Sequence, residues 1–64
     1  MKDYSKATRK ILTKHGWIFH RHAKGDHEIW KHPATGKTVT VDGSMKSRHT
    51  ANAVLRQAGL PKAF

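Results

Sequence analysis

The chain has 64 residues, of which 13 are lysine or arginine and only four are aspartate or glutamate, so its formal net charge is +9. A chain this short buries only about 60% of the surface that it exposes when unfolded, so we expect one domain over residues 1–64 without a large cofactor pocket. The sequence contains no cysteine, which excludes disulfides and thiolate zinc sites. Its positive charge favours binding to a polyanion, with nucleic acid as the first candidate, an anionic membrane as the second and an acidic protein as the third.

The N-terminal part of the chain predicts an amphipathic helix over residues 5–15. At 100° per residue, apolar side chains fall on one side of this segment and cations on the other. Ser5 is a plausible N-cap, and Gly16 stands where helices commonly end in a left-handed residue. The carboxylate of Asp3 is assigned to the start of this helix.

Three short strands are predicted next, at residues 17–22, 27–32 and 38–41. They are rich in β-branched and aromatic residues, which favour extended structure. Residues 23–26 and 33–36 contain the glycine and proline that mark turns. Because these connections are short, the strands are expected to form an antiparallel meander.

A polar loop at residues 42–46 leads to a second predicted helix. Ser47 is its candidate N-cap, apolar residues recur to Ala58, and Gly59 and Pro61 end it. The order is therefore α-β-β-β-α. The economical arrangement is an α+β fold with both helices on one face of a three-stranded antiparallel sheet, which leaves the opposite face open.

Six histidines are present, and one of them has a distinctive setting. His27 follows Gly25 and Asp26 at the mouth of a predicted hairpin, and alternation places it on the side of the sheet opposite Trp30. There an imidazole next to a bound phosphate is able to move protons near neutral pH. The sequence pattern alone does not distinguish this role from that of an ordinary surface histidine.

The other histidines do not indicate a metal site. Alternation places His20 and His22 on one face, but neither an HExxH motif nor a thiol accompanies them, so we expect no bound metal. His15, His32 and His49 are interpreted as surface residues.

Five cations are candidate phosphate contacts. Arg21, Lys24 and Lys31 are expected near His27, on the strands and the turn that surround it. Lys46 and Arg48 stand at the start of the second helix, where free amide groups favour anions. The alternative for this second pair is ordinary helix capping with solvated charges.

Several stretches together resemble the HicA toxins of bacterial and archaeal toxin–antitoxin pairs. They are Gly16-Trp17, residues 25–30, His32-Pro33 and residues 46–60, and with the element order they cover nearly the whole chain. The resemblance implies a fold like that of double-stranded-RNA-binding domains and a ribonuclease that cleaves messenger RNA. It also implies neutralisation by a HicB antitoxin, within a hetero-oligomer of toxin and antitoxin. Because RNA carries its own nucleophile, the 2′-hydroxyl, we expect the cleavage to need no metal ion or other cofactor.

The resemblance also implies a catalytic residue. The catalytic histidine of the family follows a glycine and a small polar residue, often as Gly-Ser-His, and the matching position here is His27. Asp26 stands where serine is commoner, a departure that bears on local hydrogen bonding and on RNA preference.

Other functions are also compatible with this charge and fold class. One is a non-catalytic module that binds double-stranded RNA, although such modules span about 16 bp and this chain is short for that. Others are an accessory protein of the ribosome or nucleoid and a toxin that binds without cutting. No stretch is apolar enough to span a membrane and the N-terminus lacks the apolar middle of a signal peptide, so we expect a cytoplasmic protein.

Overall fold

The order of helices and strands agrees with the sequence prediction. A computed structural model describes residues 3–64, which run as α1 (Ser5–Lys14), β1 (Ile18–His22), β2 (His27–Lys31), β3 (Thr38–Asp42) and α2 (Arg48–Gln57). The strands form one antiparallel sheet in the order β1-β2-β3. The predicted α+β fold with α-β-β-β-α order is therefore confirmed. Within residues 3–64, neither helix has the length and apolar character needed to cross a bilayer.

The core lies between one face of the sheet and the two helices. Trp30 of β2 and Val39 and Val41 of β3 are buried on that face, in one cluster with Leu12 of α1 and Leu55 of α2. Removing an aliphatic side chain of this size from water stabilises a fold by about 1.5–3 kcal/mol. Because both helices cover this one face, the opposite face of the sheet is left uncovered.

The uncovered side is called here the open face. The residues of β2 and β3 on this face alternate with the buried positions of those strands and pair with one another and with β1. The open face carries Ile18, Arg21, His27, Ile29, Lys31, Thr38, Thr40 and Asp42.

The prediction that Ser5 caps α1 is wrong. Ser5 is the first helical residue and is 1% exposed; its hydroxyl donates to the carbonyl oxygen of Asp42 at 3.1 Å and accepts the amide of Met45 at 2.8 Å. The carboxylate of Asp3 accepts the amide of Ser5 at 2.8 Å and that of Met45 at 3.2 Å. The start of α1 is thereby tied to the end of β3, a contact that local spacing cannot reveal.

The other predicted helix ends agree with the structure. Ser47 caps α2 by accepting the amide of His49 at 3.2 Å. Gly16, just beyond α1, has a φ of 89°, in the left-handed region that favours glycine.

The first strand contains an irregularity that alternation did not predict. Phe19 pairs with Trp30 and Arg21 pairs with Ile29, so His20 is an additional residue on β1, in a β-bulge. A bulge shifts every later residue of its strand to the other face. Arg21 consequently joins the open face.

The same bulge reverses the orientation of His22. His22 pairs with Glu28, and its ring centroid lies 5.0 Å from that of Phe19. The prediction that His20 and His22 share one face by strict alternation is therefore wrong. Bulges depend on backbone geometry that a period of two does not encode.

Candidate active site

His27 is the first residue of β2 and lies on the open face. Its side chain is 52% exposed, whereas Trp30, three residues later, is buried beneath the helices. The prediction that His27 and Trp30 lie on opposite faces of the sheet is therefore confirmed. An exposed imidazole at the edge of an uncovered surface is accessible to a large ligand.

The turn before β2 fixes the backbone of His27 on both sides. The carbonyl of His27 accepts the amide of Ala23 at 2.8 Å, and its amide donates to the carbonyl of Lys24 at 3.4 Å. Gly25 has a φ of 68°, which places the turn in a conformation that residues with a Cβ rarely adopt. Because the backbone makes these bonds, the imidazole itself remains available.

Asp42 faces His27 across the pair of strands. The two residues are partners in the β2–β3 register, and Oδ2 of Asp42 lies 3.9 Å from Nε2 of His27. This distance is too long for a hydrogen bond but is that of an ion pair when the imidazole is protonated. Since the carboxylate is 42% exposed, the net stabilisation is modest, at most about 1 kcal/mol.

The carboxylate of Asp42 is held in place by its neighbours. Its Oδ1 accepts the amide of Ser44 at 3.1 Å, which leaves Oδ2 directed at His27. The backbone carbonyl of Asp42 is bound by the buried hydroxyl of Ser5. Sequence reasoning placed Asp42 in a loop and missed it. Extending β3 by one residue beyond Val41 would have identified Asp42 as the cross-strand partner of His27.

The loop after β3 contacts the turn before β2. A Cβ added to Gly43 would lie 2.5 Å from the carbonyl oxygen of Asp26 and 2.9 Å from its Cβ, closer than real side chains approach. Glycine at this position lets the two loops meet. Asp26 and Asp42 therefore lie at the same end of the sheet as His27.

Glu28 anchors the strand on its covered side. Its carboxylate accepts the indole Nε1 of Trp30 at 3.0 Å and the guanidinium Nε of Arg9 at 3.1 Å, which joins β2 to α1 directly after His27. The hydrogen bond from Trp30 holds the pKa of Glu28 below its ordinary 4.5, and the hydrogen bond and positive charge of Arg9 add to this effect. Partial burial acts in the opposite direction. Sequence reasoning gave Glu28 no role, because its partners come from a distant helix.

This lowered pKa has a consequence for acid stability. A carboxylate whose pKa is lower in the folded state stabilises the fold above the pKa of the unfolded chain, and this contribution is lost as the pH falls through the folded value. We expect the melting temperature of the wild type to fall between about pH 5 and pH 3. Glu28→Gln should be less stable than the wild type at pH 7, and its melting temperature should change less with pH over this range. Melting curves across the range check this, and equal slopes for both proteins would contradict it.

Three of the five predicted cations adjoin His27 or share its face. Lys24 lies in the turn before β2, and its carbonyl accepts the amide of His27. Arg21 pairs with Ile29, which is two residues after His27 on β2. Lys31 is on the open face as well, but four residues along a strand place its backbone about 13 Å from that of His27. Arg21 and Lys24 are therefore the nearer of these cations.

The remaining two predicted cations lie beyond the end of β3. Lys46 is exposed in the loop after the buried Met45, and Arg48 is the first residue of α2. Arg48 lines a groove on α2 whose lining does not include His27. The structure thus separates Arg48 from the cations of the open face.

A comparison with protein families identifies the chain. The model of the HicA toxin family of bacterial toxin–antitoxin systems matches residues 5–60, a range that contains His27, Asp42 and all five predicted cations. The chain belongs to the HicA toxin family. It is therefore the toxin of a toxin–antitoxin system, as the sequence resemblance indicated. Searches of curated proteins and of solved structures found no match.

The groups at the open face of this HicA toxin are an imidazole, a carboxylate and exposed cations. Within residues 3–64, no three histidine, aspartate or glutamate side chains are grouped so that they could hold a metal ion. His27 and Asp42 can transfer a proton and stabilise the resulting positive charge, and the cations can bind an anion.

Proposed function

We propose that this toxin is an endoribonuclease that cleaves messenger RNA by proton transfer at His27, without a metal ion. The observation that carries the proposal is the exposed imidazole of His27, held on the open face by its backbone bonds and paired with Asp42. The family match over residues 5–60 and the charge of +9 support an RNA substrate. The toxin is proposed to act as a single domain over residues 1–64.

RNA contains the nucleophile for this reaction. The 2′-oxygen forms a bond to phosphorus, the bond from phosphorus to the 5′-oxygen breaks, one proton leaves the 2′-hydroxyl and one is gained by the 5′-oxygen. His27 is proposed to carry one of these protons, as base toward the 2′-hydroxyl or as acid toward the 5′-oxygen. In either direction its ring is positively charged at one stage, and the carboxylate of Asp42, 3.9 Å away, stabilises that charge.

The cations are proposed to act on the phosphates. Arg21 and Lys24, the nearer cations, stabilise the additional negative charge on the scissile phosphate. Lys31, Lys46 and Arg48 bind flanking phosphates and set the register of the RNA. Acid–base assistance of this kind increases a rate by about 10²–10⁴, which suits a toxin that inhibits growth.

The antitoxin partner is proposed to be of the HicB type. An acidic protein that covers the open face would bury His27 and compete with RNA for Arg21 and Lys24, which is sufficient for neutralisation. Toxin and antitoxin together would form a hetero-oligomer.

A cleavage assay with a chelator tests the proposal. We expect the purified toxin to cut a structured transcript at the same rate with and without EDTA, because the proposed chemistry uses only side chains and the 2′-hydroxyl. A DNA strand of the same sequence should remain intact, since it lacks that hydroxyl. Cleavage that stops with EDTA and returns with added metal contradicts the mechanism. Binding of the transcript without cleavage contradicts the proposed activity.

A further inference from the structure

A second cationic surface lies on the helical side of the molecule. A groove of about 500 Å³ runs between α2 and the C-terminal residues 61–64. It is called here the α2 groove, and its polar lining is Arg48, His49, Asn52, Arg56 and Lys62.

The α2 groove has a fixed wall. The side chain of Asn52 donates from Nδ2 to the carbonyl of Phe64 at 3.0 Å, and its Oδ1 accepts the amides of Ala63 at 3.2 Å and of Phe64 at 3.1 Å. The ring of Phe64 packs edge-on against Tyr4 with 5.0 Å between centroids. The C-terminal segment is thus held on α2 by three hydrogen bonds and against the start of α1 by an aromatic contact.

No aspartate or glutamate side chain pairs with the cations of the groove in residues 3–64. Arg48 and Arg56 are eight residues apart on α2, about 12 Å along the helix axis, and Lys62 comes from the opposite wall. Among residues 3–64, the ion pairs are Arg9–Glu28 and His27–Asp42, and no acidic residue lines the groove. Three exposed cations along one concave surface match a chain of phosphates.

The open face has a different balance of charge. Two of the four carboxylates of the chain, Asp26 and Asp42, lie at the end of the sheet that carries His27. Their negative charge opposes the binding of a phosphate in the ground state. Much of the affinity for RNA is therefore expected to come from cations away from His27.

We propose that the α2 groove binds the phosphate backbone of an RNA strand outside the cleaved linkage, through Arg56 and Lys62 together with Arg48. This inference rests on the proposed function, in which RNA is the substrate, and adds a binding site that the open face does not supply. Arg56 and Lys62 are the residues that test it because, unlike Arg48, neither is assigned a phosphate contact in the proposed function.

The test is RNA binding by proteins that cannot cut. In a His27→Ala background, Arg56→Gln with Lys62→Gln is compared with Lys10→Gln and Lys14→Gln, which remove the same charge from exposed positions of α1 outside the groove. The probe is a labelled single-stranded RNA titrated between about 50 and 200 mM salt. We expect the groove pair to weaken binding about tenfold and to reduce the salt slope by about 1.4, at about 0.7 per lost phosphate contact.

The controls separate the groove from general charge. The α1 pair should change the slope much less, and Arg56→Lys with Lys62→Arg should bind RNA as the parent does, while circular dichroism verifies the fold of each variant. Equal losses from both glutamine pairs, or unchanged affinity in the groove pair, overturn the inference. If RNA binds through the groove but the wild type does not cleave it, the proposed nuclease activity is wrong and the proposed groove site stands. If the wild type cleaves RNA and the groove pair binds RNA with unchanged affinity, the nuclease activity stands and the groove site is wrong.

Discussion

Replacing His27 by alanine is expected to lower the rate of RNA cleavage at least about 100-fold, because acid–base assistance contributes about 10²–10⁴. The side chain is half exposed, and the turn is held by the amide and carbonyl of His27 rather than by its ring. The variant should therefore keep its fold and its affinity for RNA. Single-turnover cleavage in EDTA measures the first effect, and melting and binding curves measure the others.

His15→Ala is the matched control for this experiment. His15 is an exposed histidine just beyond α1, and its hydrogen bond to His32 is made by its backbone carbonyl. It should cut RNA at the wild-type rate. Cleavage by His27→Ala at the wild-type rate, or an equal loss in both variants, would remove His27 from the reaction.

Replacing Asp42 by asparagine is expected to lower kcat by up to about fivefold and to leave KM unchanged or lower. Asparagine retains the oxygen that accepts the amide of Ser44, so the turn should persist. The negative charge opposite His27 is lost, and with it the stabilisation of the protonated ring, which for a pair this exposed is worth at most about 1 kcal/mol, or about fivefold in rate. The same charge repels the phosphate, so its removal favours RNA binding.

Asp26→Asn separates a general charge effect from the pairing with His27. Asp26 is an exposed carboxylate at the same end of the sheet, but Asp42 is the residue in register with His27. Steady-state kinetics of both variants should show a lower KM for Asp26→Asn without a loss of kcat. If Asp42→Asn retains the kcat of the wild type, or if both variants behave alike, Asp42 has no part in the reaction.

The elements with one buried face were predictable from the sequence. The periods of α1, α2 and β3 each place apolar residues on one side, and Trp30 and His27 fall on opposite faces of β2 because no bulge interrupts that strand. The open face and its histidine follow from these periods.

The contacts that complete the site were not predictable in this way. The bond from Ser5 to Asp42 joins residues 37 apart, and that from Arg9 to Glu28 joins residues 19 apart. Their existence depends on how α1 packs on the sheet. The bulge at His20 likewise depends on backbone geometry, and it decides that Arg21 rather than His20 pairs with Ile29 on the open face.

The chemical ends of the RNA fragments test the central claim most directly. Transcript cut in EDTA by the wild-type toxin should carry a 2′,3′-cyclic phosphate on one fragment and a 5′-hydroxyl on the other, because the 2′-oxygen attacks and His27 moves a proton. Fragments that end in a 3′-hydroxyl and a 5′-phosphate would show that water or another nucleophile attacks the phosphorus, and would contradict the mechanism assigned to His27.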